Sequence, residues 1–112
     1  MDEQKMTRLE TIVKAADDKL GQDIQVIDIS AKAGICDHFV LVTGRNKNHT
    51  QAIADAIDDA LAKEGYDAKN PEGFREGSWI LIDAGDVIVH IFTADQRAFY
   101  GLENLWKEPD KQ

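Results

Sequence analysis

The chain has 112 residues, room for one domain with one core. Hydrophobic residues make up 43% and charged residues 30%, a globular composition that excludes a disordered or fibrous protein. A formal net charge of −8 argues against extended contact with phosphate backbones; an acidic protein that works near nucleic acid would instead dock on a basic protein.

In chain order, Met1-Asp2-Glu3-Gln4-Lys5 carries no apolar stretch of the kind that opens a secretory signal. Leu9, Ile12, Val13, Ala16 and Leu20 recur at helical spacing before Gly21, which predicts a first helix over about residues 5–20. Residues 24–30 are rich in branched apolar side chains and read as a strand, broken by Lys32-Ala33-Gly34. The run over 37–44 predicts a second strand buried on both faces or nearly so. Cys36, just before it, is the single cysteine, which rules out an internal disulfide and a cysteine-based zinc site. With no apolar run near the roughly 20 residues that span a bilayer, these features fit a cytoplasmic protein.

Asn46 or Asn48 can cap a second helix running to about Lys63. Ile53, Ile57, Ala60 and Leu61 form its buried stripe, Asp55, Asp58 and Asp59 lie mainly outward, and Gly65 ends it. Residues 66–69 read as a short strand and 70–73 as a turn. Residues 79–90 form two apolar runs around a glycine, the pattern of a β-hairpin. Thr93 and Gln96 have the spacing of a capping box that starts a short helix through about Tyr100. Leu102, Leu105 and Trp106 make a further apolar stripe, followed by a polar tail over 107–112. The order α-β-β-α-β-β-β-α predicts a single-domain α/β sandwich over 1–112, with a mixed sheet and flanking helices. The second strand, the long helix and the following strand would form one crossover unit.

If Ala84-Gly85 is the hairpin turn, Asp83 pairs with Asp86, Leu81 with Ile88 and Trp79 with His90. Ile80, Ile82, Val87, Val89 and Ile91 then share an aliphatic face that packs on the helices. Trp79, Leu81, Asp83, Asp86, Ile88, His90 and Phe92 share the other face. Two carboxylates side by side repel slightly, and either solvation at the turn or a Lys or Arg of a partner offsets this. Apolar and aromatic side chains rimmed by charge also fit a protein contact, while burial of Trp79 under the C-terminal helix is the structural alternative.

Catalytic readings are weaker. Asp83 and Asp86 have the carboxylates a Mg²⁺ site would need, but Asp-x-x-Asp across a turn is common. Gly44-Arg45-Asn46-Lys47 could bind an anion at a helix N-terminus, though a polar helix entry accounts for it. His38, His49 and His90 have no metal-ligand spacing, and Cys36 reads as a small loop or buried residue.

Three ordered blocks resemble one family. They are Asp37-His38-Phe39-Val40 through Thr43-Gly44 with His49 and Ala52-Ile53-Ala54-Asp55; the whole of 79–90; and Arg97, Phe99-Tyr100, Leu102-Glu103 and Leu105-Trp106. From about Leu9 to Trp106 the chain is similar to the Iojap-related ribosomal silencing factors. It departs from their usual residues at Cys36, His38, the 46–48 loop and Gly101. The resemblance implies a nucleotidyltransferase-like topology without the catalytic apparatus, no cofactor and no metal. It implies binding to the fourteenth protein of the large ribosomal subunit, a basic protein at the intersubunit face. Docked there, the protein would block joining of the small subunit and repress translation under nutrient shortage. The contact surface carries over to Trp79, Leu81, Asp83 and Asp86, with Ile88 and His90 beside them. The alternatives are a large-subunit assembly factor using the same surface and a reduced nucleotidyltransferase-like enzyme. A homodimer of the free protein is a further expectation, through the same exposed apolar face.

Overall fold

Thr7 opens the first helix, α1 (Arg8–Asp18): its hydroxyl accepts from the Glu10 amide at 3.0 Å and the Glu10 carboxylate accepts from the Thr7 amide at 2.9 Å. A computed structural model of the chain describes residues 7–28, 37–68 and 71–96. In it α1 is followed by β1 (Gln22–Asp28), β2 (His38–Gly44), α2 (Lys47–Lys63), β3 (Trp79–Asp83) and β4 (Val87–Thr93).

Both helices end on the same hydrogen-bond pattern. At α2 the Gly65 amide donates to Ala62 and the Tyr66 amide to Leu61, with Gly65 at φ 84°. At α1 the Leu20 amide donates to Asp17 and the Gly21 amide to Ala16, and here Leu20 takes the left-handed position at φ 64°. The α2 closure uses Tyr66, so the short strand expected over 66–69 is absent among its described residues; 66–68 are irregular. Lys69 lies outside the described residues, as do Cys36, the last residues expected in the first strand, the helix expected to follow Thr93 beyond Gln96, and the polar tail. Ala94–Gln96 do turn helical directly after β4.

The sheet order is β1-β2-β4-β3: β1 runs antiparallel to β2, β2 parallel to β4, and β4 antiparallel to β3. The crossover from β2 through α2 therefore closes on β4, with β3 laid at the edge, and not on the strand next in sequence. The outer edge of β3 is met by Glu72, which exchanges both backbone hydrogen bonds with Leu81 at 2.9 Å. At the other edge, the pairing of β1 is disturbed between Gln22 and Gln25, where Asp23 has φ 48°.

Helices α1 and α2 cover one side of the sheet. Ile12, Ala16, Ile53, Ile57 and Leu61 meet Val40, Val42, Ile80, Ile82, Val89 and Ile91 there, all at 0% exposure. Each fully buried aliphatic side chain of this kind is worth about 1.5–3 kcal/mol. On the opposite side Phe39, Leu41 and Phe92 form a second buried cluster, with Ile27, Trp79 and Ile88 half-buried against it.

Candidate functional site

The hairpin positions the candidate residues, and its register differs from the one the sequence predicts. Asp83 pairs with Ile88, Leu81 with His90 and Trp79 with Phe92. The turn is Gly85-Asp86, closed by the Ala84 amide donating to Val87 at 2.9 Å. Gly85 has φ 87°, and a two-residue hairpin turn that leads with glycine needs that conformation at its first central position. Ala84-Gly85 would put glycine second and alanine into the left-handed region. The correction is a slip of two residues in the pairing. Side chains alternate with period two, so each strand keeps its faces. Trp79, Leu81, Asp83, Ile88, His90 and Phe92 do lie on one side, while Ile80, Ile82, Val87 and Val89 lie on the other.

What changes is the carboxylate pair. Asp86 stands at the tip of the turn and does not face Asp83. Its Oδ1 lies 3.4 Å from the Arg8 guanidinium of α1, which also stacks over the Tyr66 ring at 4.8 Å. The basic group beside Asp86 thus comes from the chain itself. Asp83 Oδ1 accepts from the Gly85 amide at 3.1 Å, a local bond that braces the turn. Arg8 escapes sequence reasoning because its contacts join segments far apart in the chain.

Parallel pairing of β2 with β4 extends the face. Phe39 is paired with Ile88 and Leu41 with His90, so both belong to the same side as Trp79. The unbroken apolar run of β2 is the one sequence signal for this. Trp79, Leu81, Asp83 and Ile88 are half-buried and Asp86 is exposed. His90 differs: it is only 7% exposed, too deep to form part of the open surface. The Phe39 ring meets it edge-on at 4.9 Å, and the Trp79 and Phe92 rings lie 6.0 and 6.3 Å away. Trp79 Nε1 donates to His90 Nδ1 at 3.2 Å. That bond assigns the ring proton to Nε2, which has no hydrogen-bond partner among the described residues. Burial pushes the imidazole down from 6.5 to about 4, so the ring is neutral near pH 7.

The other candidates have internal roles. Asn46 is the cap of α2, its side chain accepting from the His49 amide at 2.9 Å. His49 Nδ1 accepts from the Arg45 amide at 2.9 Å, and its Nε2 donates to the Lys19 carbonyl at 2.8 Å. The histidine therefore ties the start of α2 to the end of α1, and the N-terminus of α2 is partly filled from within. His38 begins β2, half-buried. Among the described residues no three His, Cys, Asp or Glu side chains gather as metal ligands would. No helix among them is long and apolar enough to cross a membrane.

Among the described residues, the fold and face together define an α/β domain with both helices on one sheet side and, on the other, an aromatic and aliphatic patch that is half-buried at Trp79, Leu81 and Ile88. A family model described as "Ribosomal silencing factor during starvation" matches residues 2–112. A ribosomal silencing factor of Bacillus subtilis is 40% identical over 98 residues, covering 88% of this chain and 83% of its own. The chloroplastic protein Iojap of Arabidopsis thaliana is 30% identical over 95 residues, which are 85% of this chain and 40% of that longer protein. A crystal structure of a protein from Chromobacterium violaceum superposes with a TM-score of 0.87 at 30% identity, covering 93% of this chain and 87% of that one. The chain belongs to the ribosomal silencing factor family.

Proposed function

We propose that this chain is a cytoplasmic translational repressor, acting by occlusion and without chemistry of its own. It docks through Trp79, Leu81, Asp83 and Ile88, with Asp86 at the rim, onto the basic fourteenth protein of the large ribosomal subunit. Bound there it keeps the small subunit from joining when nutrients are short. One observation supports this above the others: a half-buried tryptophan and two half-buried aliphatic residues share a sheet face with a carboxylate, on a chain of net charge −8. Aromatic anchors ringed by polar groups carry most of the energy of protein contacts. The separation of Asp83 from Asp86, and a helix entry occupied by Asn46 and His49, favour docking over a metal-dependent transfer reaction. The same apolar face would pair two copies of the free chain when no ribosome is present.

Trp79→Glu tests the reading. Cosedimentation with large subunits should fall to background and subunit joining should proceed unhindered, while light scattering shows a monomer and circular dichroism an unchanged fold. Undiminished cosedimentation of a folded variant would remove the assigned face.

A further inference from the structure

His90 is poorly suited to be a mere filler of the second cluster. It is buried, yet its Nε2–H has no partner among the described residues. A leucine would occupy similar space on this aliphatic and aromatic side without an unpaired donor. What the imidazole offers and leucine lacks is an acceptor at Nδ1, and that acceptor receives the indole N–H of Trp79 at 3.2 Å. Trp79 sits at the first position of an edge strand, half-buried, with Phe92 on one flank at 5.6 Å between ring centroids. Ring stacking alone leaves an indole free to slide or flip; a directional hydrogen bond does not.

We propose that His90 is the positioning residue of the docking face: it fixes the orientation of the Trp79 ring through Nδ1 while touching no partner itself. This rests on the docking reading above. The surroundings keep the imidazole in the accepting form. On the same side, β2 presents Phe39 and Leu41, β4 presents Ile88 and Phe92, and β3 presents Leu81 directly opposite. The one ionisable neighbour on that side of these strands, among the described residues, is Asp83, paired with Ile88 nearer the turn. Protonation would place an Nδ1–H against the indole N–H, and burial holds that form off at neutral pH. The ring is thus a fixed acceptor, and a partner meets an indole already set in place, which lowers the ordering cost of binding.

The test is a double-mutant cycle on the full chain, measured by cosedimentation with large subunits and by the indole N–H resonances in a ¹H–¹⁵N spectrum. His90→Leu should stay folded, shift the Trp79 indole resonance, speed its exchange with water and weaken binding by about tenfold. His90→Asn, whose Oδ1 can stand near the position of Nδ1, should restore most of the binding. In a Trp79→Phe background, which has no indole N–H, His90→Leu should cost nothing more. Equal losses with and without the indole N–H would make His90 a packing residue and overturn the proposal. So would an indole resonance indifferent to His90→Leu, whatever the ribosome does. If Trp79→Glu still cosediments, the docking reading itself falls; if it does not and His90→Leu binds as the parent does, only the positioning role falls.

Discussion

Asp83 and Asp86 are close in the chain but meet different surroundings. Asp86, with its side chain 51% exposed, lies beside Arg8, so its charge is partly answered within the molecule. Such an exposed pair is worth at most about 1 kcal/mol. Asp83 is half-buried on the Trp79 side of the sheet. The two carboxylates should therefore behave unequally. Asp83→Lys should weaken large-subunit binding by about tenfold at low salt, with a smaller loss at high salt. Asp86→Lys should change binding less and lower the melting temperature slightly. Binding titrations at two salt concentrations check this, and equal losses would return the carboxylates to a joint role. The sequence reading could place both on one face but could not tell their depth. Alternation of side chains reports the side of a sheet and says nothing of what lies over it, which is also why the burial of His90 was not legible.

At the scale of elements, the local patterns were the readable ones. Asn46 before an Ile53, Ile57, Leu61 stripe specifies α2 from neighbouring residues alone, and the alternation in 79–90 specifies two faces. The faces survived the error in the turn because the slip was an even one. Residue types alone do not separate a Gly85-Asp86 turn from an Ala84-Gly85 turn; the backbone angles of the turn do. Pairing of β2 with β4 was out of reach, since a parallel ladder joins strands across a whole helix and leaves no local mark. The end of α1 carries a local misfit that only the backbone reveals. Leu20, 68% exposed, occupies the left-handed closing position, and the glycine comes one residue later. Gly21 is needed where it stands, because a Cβ there would come within 2.7 Å of Val42 Cγ1. Leu20→Gly should accordingly stabilise the protein by about 0.5–1 kcal/mol, read as a rise in melting temperature. A lower melting temperature would mean that the leucine side chain contributes more than its backbone costs.

For the whole molecule, the buried imidazole links folding to acidity. Unfolding returns His90 from a pKa of about 4 to 6.5. Between those values the unfolded chain binds more protons than the folded one, so stability is lost as the pH falls. The contribution is complete above 6.5, declines towards pH 4 and amounts to about 3 kcal/mol. Urea unfolding at pH 7 and pH 4.5 should show a smaller loss in His90→Leu than in the parent; matching losses would place the acid sensitivity elsewhere. Net charge and overall composition point to an acidic globular protein, and the described residues form a four-stranded sheet packed on two helices.

The two rims of the sheet carry a different consequence. Glu72 caps the middle of β3 with paired backbone bonds, and at the far rim β1 is bulged beside Asp23. Open strand rims are where β-proteins grow into fibrils, and a plugged rim and a kinked, charged one both resist that growth. Copies of this chain are thereby discouraged from joining edge to edge into a longer ribbon. Crowding should leave them as discrete particles that meet, when they meet, flat side to flat side.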